Sequence, residues 1–108
     1  MASTLEFVEY IVGQFNNFDK ITYKKMFGEY ALYYDTKVFA LVCDNQLFIK
    51  TTEAGENYLK EFILKPPYEG AKPYFLIEEL EDREFLSNLA EITYKELPLP
   101  KVKKRKKS

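Results

Sequence analysis

Residues 21–50 read ITYKKMFGEYALYYDTKVFALVCDNQLFIK, four short apolar and aromatic runs, each closed by turn residues a few positions on. Gly28-Glu29 separates the first two runs, Asp35-Thr36-Lys37 the next two and Asp44-Asn45 the last two. Gly, Asp and Asn tolerate positive φ or bond their own backbone, so they supply the reversals that antiparallel strands need. Within the runs Ile21, Tyr23, Lys25 and Phe27 alternate with Thr22, Lys24 and Met26; Tyr30, Leu32 and Tyr34 alternate with Ala31, Tyr33 and Asp35. This period of two, with its aromatic and β-branched enrichment, predicts a four-stranded antiparallel meander. In the third run Phe39, Leu41 and Cys43 oppose Val38, Ala40 and Val42, so it is apolar on both sides. That pattern predicts a central strand covered on both faces.

The flanks add helices and one more strand, giving an α+β fold. Ser3 with Glu6 fits a capping box, and Leu5, Val8, Ile11, Val12 and Phe15 form one apolar stripe behind it. Thr51 or Thr52 can cap a second helix with Tyr58, Leu59, Phe62 and Ile63 facing inward. That helix must end near Lys65, because Pro66-Pro67 cannot continue it. Gly55 weakens the start of this helix. Pro73 to Ile77 reads as a fifth strand. From Asp82, the spacing of Phe85, Leu86, Leu89, Ala90, Thr93 and Leu97 predicts a C-terminal helix stopped by Pro98 and Pro100. The expected order is helix, four-stranded meander, helix, fifth strand, helix.

The run KKMFGEYALYYDTKVFALVCDNQLFIKTTE resembles the N-terminal domain of the TfoX (Sxy) competence-regulator family. That family's pattern is a basic residue, Met-Phe-Gly-Gly-Tyr-Gly-Leu-Tyr, an acidic turn, Met-Phe-Ala-Leu, and a strand ending in Leu-Lys. Lys25, Met26, Phe27, Gly28, Tyr30, Leu32, Tyr33, Phe39, Ala40, Leu41, Leu47 and Lys50 occupy the matching positions. The later PPYEGAKPYFLIEEL is similar to the family's Tyr-Glu-Gly loop leading into a final strand and helix. Glu29, Ala31 and Thr36 stand where the family often carries glycine. Full-length members also have a helical C-terminal domain, in place of which this chain has a basic tail. The resemblance implies a domain over 1–100 and a non-enzymatic regulatory role in transcription, exercised by contacting other proteins near DNA.

Charge is distributed unevenly. The 108 residues carry a formal net charge of −1. Lys101, Lys103, Lys104, Arg105, Lys106 and Lys107 crowd into the last eight positions, leaving 10 basic against 17 acidic residues elsewhere, a net of −7. The tail, residues 101–108, is expected to be disordered, and two readings of it stand: a contact for nucleic-acid phosphates or an acidic partner, or a solvated segment that keeps the chain soluble. The first would weaken with salt by a log–log slope of about −0.7 to −0.9 per phosphate neutralised.

Enzyme chemistry finds no foothold. With no His and one Cys, the chain lacks the usual base for a Ser or Cys nucleophile and any thiolate–imidazole zinc set. Cys43 sits within a strand run and reads as a buried structural thiol. Glu78, Glu79, Glu81, Asp82 and Glu84 match no calcium loop and suit the N-terminal end of a helix dipole. The four Gly, at 13, 28, 55 and 70, are too scattered to cradle a phosphate. No catalytic residue, metal site or cofactor is expected. A lone Cys, the absence of a signal-like start and the lack of a long apolar run predict a cytoplasmic protein without membrane association.

Nine Tyr and nine Phe are a large aromatic load for a small core. Exposed Tyr23, Tyr30, Tyr33 and Tyr34 would suit either a base-stacking platform or a protein interface. The acidic body favours the interface, and a symmetric homodimer through the sheet is the expectation. Two functional classes remain open at this point. One is the regulatory module that the resemblance implies. The other is a stand-alone dimeric adaptor or chaperone-like binding protein, with an unidentified protein partner and no nucleic-acid role.

Overall fold

The turns set the frame of the sheet. In the computed structural model, which describes residues 3–16 and 19–98, the elements run α1 (Leu5–Gly13), β1 (Ile21–Met26), β2 (Glu29–Tyr34), β3 (Lys37–Cys43), β4 (Gln46–Ile49), α2 (Glu53–Leu59), β5 (Ile63–Lys65), β6 (Tyr74–Ile77) and α3 (Arg83–Glu96). The strands form one antiparallel sheet in the order β1-β2-β3-β4-β6-β5. The α+β plan and the meander are as expected.

Asp44 and Asn45 both adopt φ 55°, the paired positive values of a tight primed turn between β3 and β4. The first hairpin turns one residue earlier than Gly28-Glu29, on Phe27 at φ 54° and Gly28 at φ 83°. Met26 then pairs with Glu29, which makes Glu29 the first residue of β2. A bulge between β2 and β3 leaves Phe39 as an extra residue, since Leu32 pairs with Ala40 but Tyr33 with Val38. Phe39 and Ala40 are therefore consecutive yet both fully buried.

One face of the sheet carries the main core. Val8 and Ile11 of α1 and Leu86, Leu89 and Ala90 of α3 pack with Leu32, Ala40, Val42, Leu47, Ile49 and Phe75. Burying each such aliphatic or aromatic side chain stabilises the fold by roughly 1.5–3 kcal/mol. Ala31, Cys43 and Phe48 are also buried, but on the opposite face and outside that core cluster. β3 is central and buried on both faces as expected: Ala40 and Val42 on the side of the main core, Cys43 on the other.

The helix ends depart from the sequence reading in two places. The cap of α1 is Thr4, whose Oγ1 accepts from the Phe7 amide at 3.1 Å. Ser3 instead ties the N-terminal segment to the sheet: its hydroxyl accepts from the Asn45 amide at 2.9 Å, and its amide donates to Glu29 Oε1 at 2.9 Å. Glu29 Oε2 also accepts from the Asp44 amide at 2.8 Å, so one carboxylate clamps three segments together.

The second departure is larger. Thr52 caps α2 as anticipated, but the helix stops at Leu59 and not near Lys65. Lys60 turns to φ 66° while its amide still donates to Glu56 O, and Glu61 N bonds Leu59 O at 2.7 Å. The chain leaves the helix there and becomes β5, a sixth strand that pairs with β6. Pairing with the open edge of β6, together with the edge-on packing of Phe62 against Phe75 at 5.0 Å, outweighs continuing the helix from Leu59 to Lys65.

Gly55 explains itself in this arrangement. A Cβ there would lie 2.9 Å from Phe75 Cε2 and 2.9 Å from Thr52 Oγ1. The glycine lets α2 sit directly on the Phe75 ring, at the β5 side of the sheet. Glu96 of α3 completes the N-terminus of α2 by accepting from the Ala54 amide at 2.9 Å and the Glu53 amide at 3.2 Å.

Candidate interaction surface

Cross-strand partners share a face of a sheet, so the register reveals rows that no single strand shows. On the helix-free face Lys24, Ala31, Leu41, Phe48, Leu76 and Ile63 form one row that crosses all six strands. Except for Lys24 on β1 the row is apolar, and it runs out to Ile63 on the far edge. On the core face the matching row of Tyr23, Leu32, Ala40, Ile49 and Phe75 ends at Leu64. Both rows therefore finish in β5, the last strand of the sheet, where Ile63 and Leu64 are each 49% exposed.

More apolar surface surrounds that edge. Phe62 and Tyr68 are exposed as well. A shallow groove of about 190 Å³ opens between Phe62, Ile63, Leu76 and Phe85, with Glu61, Glu78 and Glu79 on its walls. That volume falls below the ~300–1,000 Å³ of small-molecule sites. The groove suits side chains of a docking segment better than a free ligand.

A second exposed apolar point lies at the tip of the first hairpin. Phe27 is 100% exposed and holds φ 54°. A bulky residue in the left-handed region is strained, and full exposure leaves its ring no packing to offset the strain.

The four tyrosines anticipated as interface residues are not brought together. Tyr30 and Tyr34 belong to the protein's own core. Tyr34 stacks on Tyr94 with centroids 4.3 Å apart, and Tyr30 meets Tyr23 edge-on at 6.0 Å. Tyr23 lies at the rim of that core, its hydroxyl donating to Glu9 Oε2 at 3.2 Å. Burial first, and then this bond to Glu9, push the Tyr23 phenol up. Only Tyr33 is on the helix-free face, with Lys24 Nζ 6.0 Å from its ring centroid. Alternation separates Tyr33 from its neighbours, and the core takes the other three because the sheet's helix side must be filled with large rings. The tail cations Lys101, Lys103, Lys104, Arg105, Lys106 and Lys107 lie outside the described residues.

Several polar groups have structural partners. Cys43 is 4% exposed, and its thiol is pushed up to about 11, by burial first and then by Glu29 and Asp44. It stays protonated at neutral pH and out of reach of a substrate. Lys37 Nζ donates to the Tyr94 and Leu97 carbonyls at 3.1 and 2.7 Å and sits 4.4 Å from the Tyr94 ring centroid, closing the C-terminus of α3. Asp82 caps α3 through the Phe85 amide at 3.0 Å, which accounts for one carboxylate of the acidic 78–84 stretch. Among the described residues no group of three or more His, Cys, Asp or Glu could hold a metal ion. No helix among them is long and apolar enough to cross a membrane.

The order of elements and the Met26-Phe27-Gly28 hairpin carry the resemblance noted in the sequence, and comparison with known families decides it: the TfoX N-terminal domain matches over residues 13–97. This chain belongs to the TfoX N-terminal domain family. An uncharacterized 12.7 kDa protein in the trpE 5′ region of Spirochaeta aurantia is 35% identical over 107 residues, spanning 98% of this chain and 93% of its own. In this TfoX N-terminal domain, the family motif forms the strained hairpin tip, and the edge formed by β5 lies outside the motif at the other side of the sheet. The exposure of Phe27, Ile63 and Leu64 did not stand out in the sequence. The signal that was available for β5 was the apolar run Phe62-Ile63-Leu64 wedged between opposite charges and Pro66.

Proposed function

We propose that this TfoX N-terminal domain is a non-enzymatic regulatory module that works by protein–protein contact, adding a partner's strand to its sheet at β5. The observation that carries the reading is the edge itself. Natural sheets blunt exposed edges with charge, proline or a covering element, because unpaired N–H and C=O groups recruit other strands. Here β5 is an edge strand with two half-exposed apolar side chains, beside a groove that can accept more. Strand addition takes affinity from main-chain bonds and specificity from pockets for alternate side chains. Regulation of transcription by such contact is the role suggested by family membership, with the basic tail supplying phosphate affinity near DNA.

The test is capture of partners from lysate by the full chain, by Ile63→Lys and by a chain ending at Pro100, each with and without nuclease. A partner that survives nuclease and is lost with Ile63→Lys is the expected result. Capture that ignores Ile63→Lys but disappears with nuclease or with residues 101–108 would make the tail the functional element and overturn the reading.

A further inference from the structure

We infer that the strand added at β5 is β5 of a second copy of this chain, joined antiparallel about Ile63; the inference rests on the proposal that β5 is the interaction edge. The support is the self-complementarity of residues 61–65, Glu-Phe-Ile-Leu-Lys. When this segment faces itself antiparallel with Ile63 on the two-fold axis, Phe62 meets the partner's Leu64 and Glu61 meets the partner's Lys65. Symmetry repeats each contact, giving two opposite-charge pairs and three apolar pairs in one register. Glu61 shares its groove with Glu78 and Glu79, so the incoming Lys65 meets an acidic rim. A one-residue slip about Leu64 would place Lys65 opposite Ile63 and Glu61 opposite Pro67, and the charge pairing would be lost.

The rows across the sheet point to the same axis. The apolar row of the helix-free face ends at Ile63, so the Ile63–Ile63 contact would continue it into the second copy. The core-face row ends at Leu64, which would be covered by the second copy's Phe62, while Phe62 already packs on Phe75. The other edge of the sheet offers no equivalent. Antiparallel self-pairing of β1 about its middle would set Lys24 against Tyr23 and Lys25 against Thr22 of the second copy, with no opposite-charge pair and no apolar pair at the axis. A joint between strands as short as Ile63–Lys65 is smaller than a standard interface of ~1,200–2,000 Å², so association is concentration-dependent.

Sedimentation velocity on the full chain over a concentration series is the experiment, run for the native chain, Glu61→Lys, Lys65→Glu and the double exchange. Both sites of change are exposed, and thermal melts confirm that each variant is folded. The native chain should pass from one to two copies. Each single exchange should raise the dissociation constant by about tenfold, because two opposite-charge pairs become like-charge pairs, and the double exchange should restore it. In parallel, Ile63→Cys should cross-link into a dimer on oxidation, whereas Thr22→Cys on β1 should not; the native Cys43 is buried and does not compete. A native chain that stays single at every concentration, or a double exchange that fails to restore association, overturns the inference. If that single chain still captures another protein through Ile63, only the identity of the occupant falls and the proposed function stands.

Discussion

The two edges of this sheet meet the same physical problem with opposite solutions. Both β1 and β5 present a strand with one side unpaired. β1 carries exposed Thr22, Lys24 and Lys25, lies against α1, and has Tyr23 tied to Glu9 of that helix. Lysines along an edge make the approach of another strand costly, because its backbone must displace hydrated charges. β5 carries Ile63 and Leu64 in the corresponding exposed positions, and its charges stand at the ends of the apolar segment. A sheet guarded at one edge and open at the other has a direction in which the proposed strand addition would extend it. The difference is what the proposed interaction at β5 rests on.

The comparison can be broken hardest at Gly55, which seats α2 on the β5 side. Gly55→Ala drives a methyl into the Phe75 ring, which cannot retreat without disturbing β6 and β5. A loss of about 1–3 kcal/mol in folding stability is expected, read as a lower denaturant midpoint. It should be accompanied by weaker association, since Phe75 supports both Phe62 and Leu64.

Exchanging the guards sharpens the contrast next. Lys24→Ile with Lys25→Ile removes the charges from β1 and should create new, irregular self-association, visible as light scattering that the native chain lacks. Surface exchanges of this kind leave stability within about 0.5 kcal/mol, so the effect is on assembly and not on the fold. Unchanged scattering would mean that the lysines are not what protects β1.

A smaller effect is expected at Phe27, the one apolar residue standing free at the end of the guarded strand. Asn tolerates positive φ and is a preferred residue in this type of turn. Phe27→Asn should therefore stabilise the fold by about 1 kcal/mol while leaving β5-mediated association intact. If association falls as well, the hairpin tip belongs to the same interface.

An effect confined to high pH separates the buried middle of the helix-free face from its open edge. The folded Cys43 thiol titrates near 11 against an ordinary 9.0, so the unfolded chain loses its proton first as pH rises. The native chain should lose stability through that window, and Cys43→Ala should lose less over the same range. Denaturant midpoints at both ends of the window measure the difference.

How much of this was legible in the sequence follows from how local each signal is. The meander was readable because its alternation and turn residues act over a few positions, and α3 because a long apolar stripe and an Asp cap agree. The register of a turn is finer than that: nothing in propensity places Phe27 in the left-handed region, so the reversal was expected one residue late. β5 was hidden because Tyr58, Leu59, Phe62 and Ile63 fit a helical stripe. Only the open edge of β6, contributed by residues beyond the Pro66-Pro67 break, makes an extended path cheaper. The fate of the tyrosines was equally non-local. Tyr30 and Tyr34 look like neighbours of Tyr33, but which side faces the helices depends on how six strands are registered.

Hydrogen–deuterium exchange of the full chain at low and high concentration, resolved to residues 62–65 and 22–25, tests the contrast between the edges most directly. Slower exchange in β5 on concentration, with β1 unchanged, is the predicted result. β5 amides that exchange equally fast at both concentrations, or protection that arises in β1 instead, would contradict it.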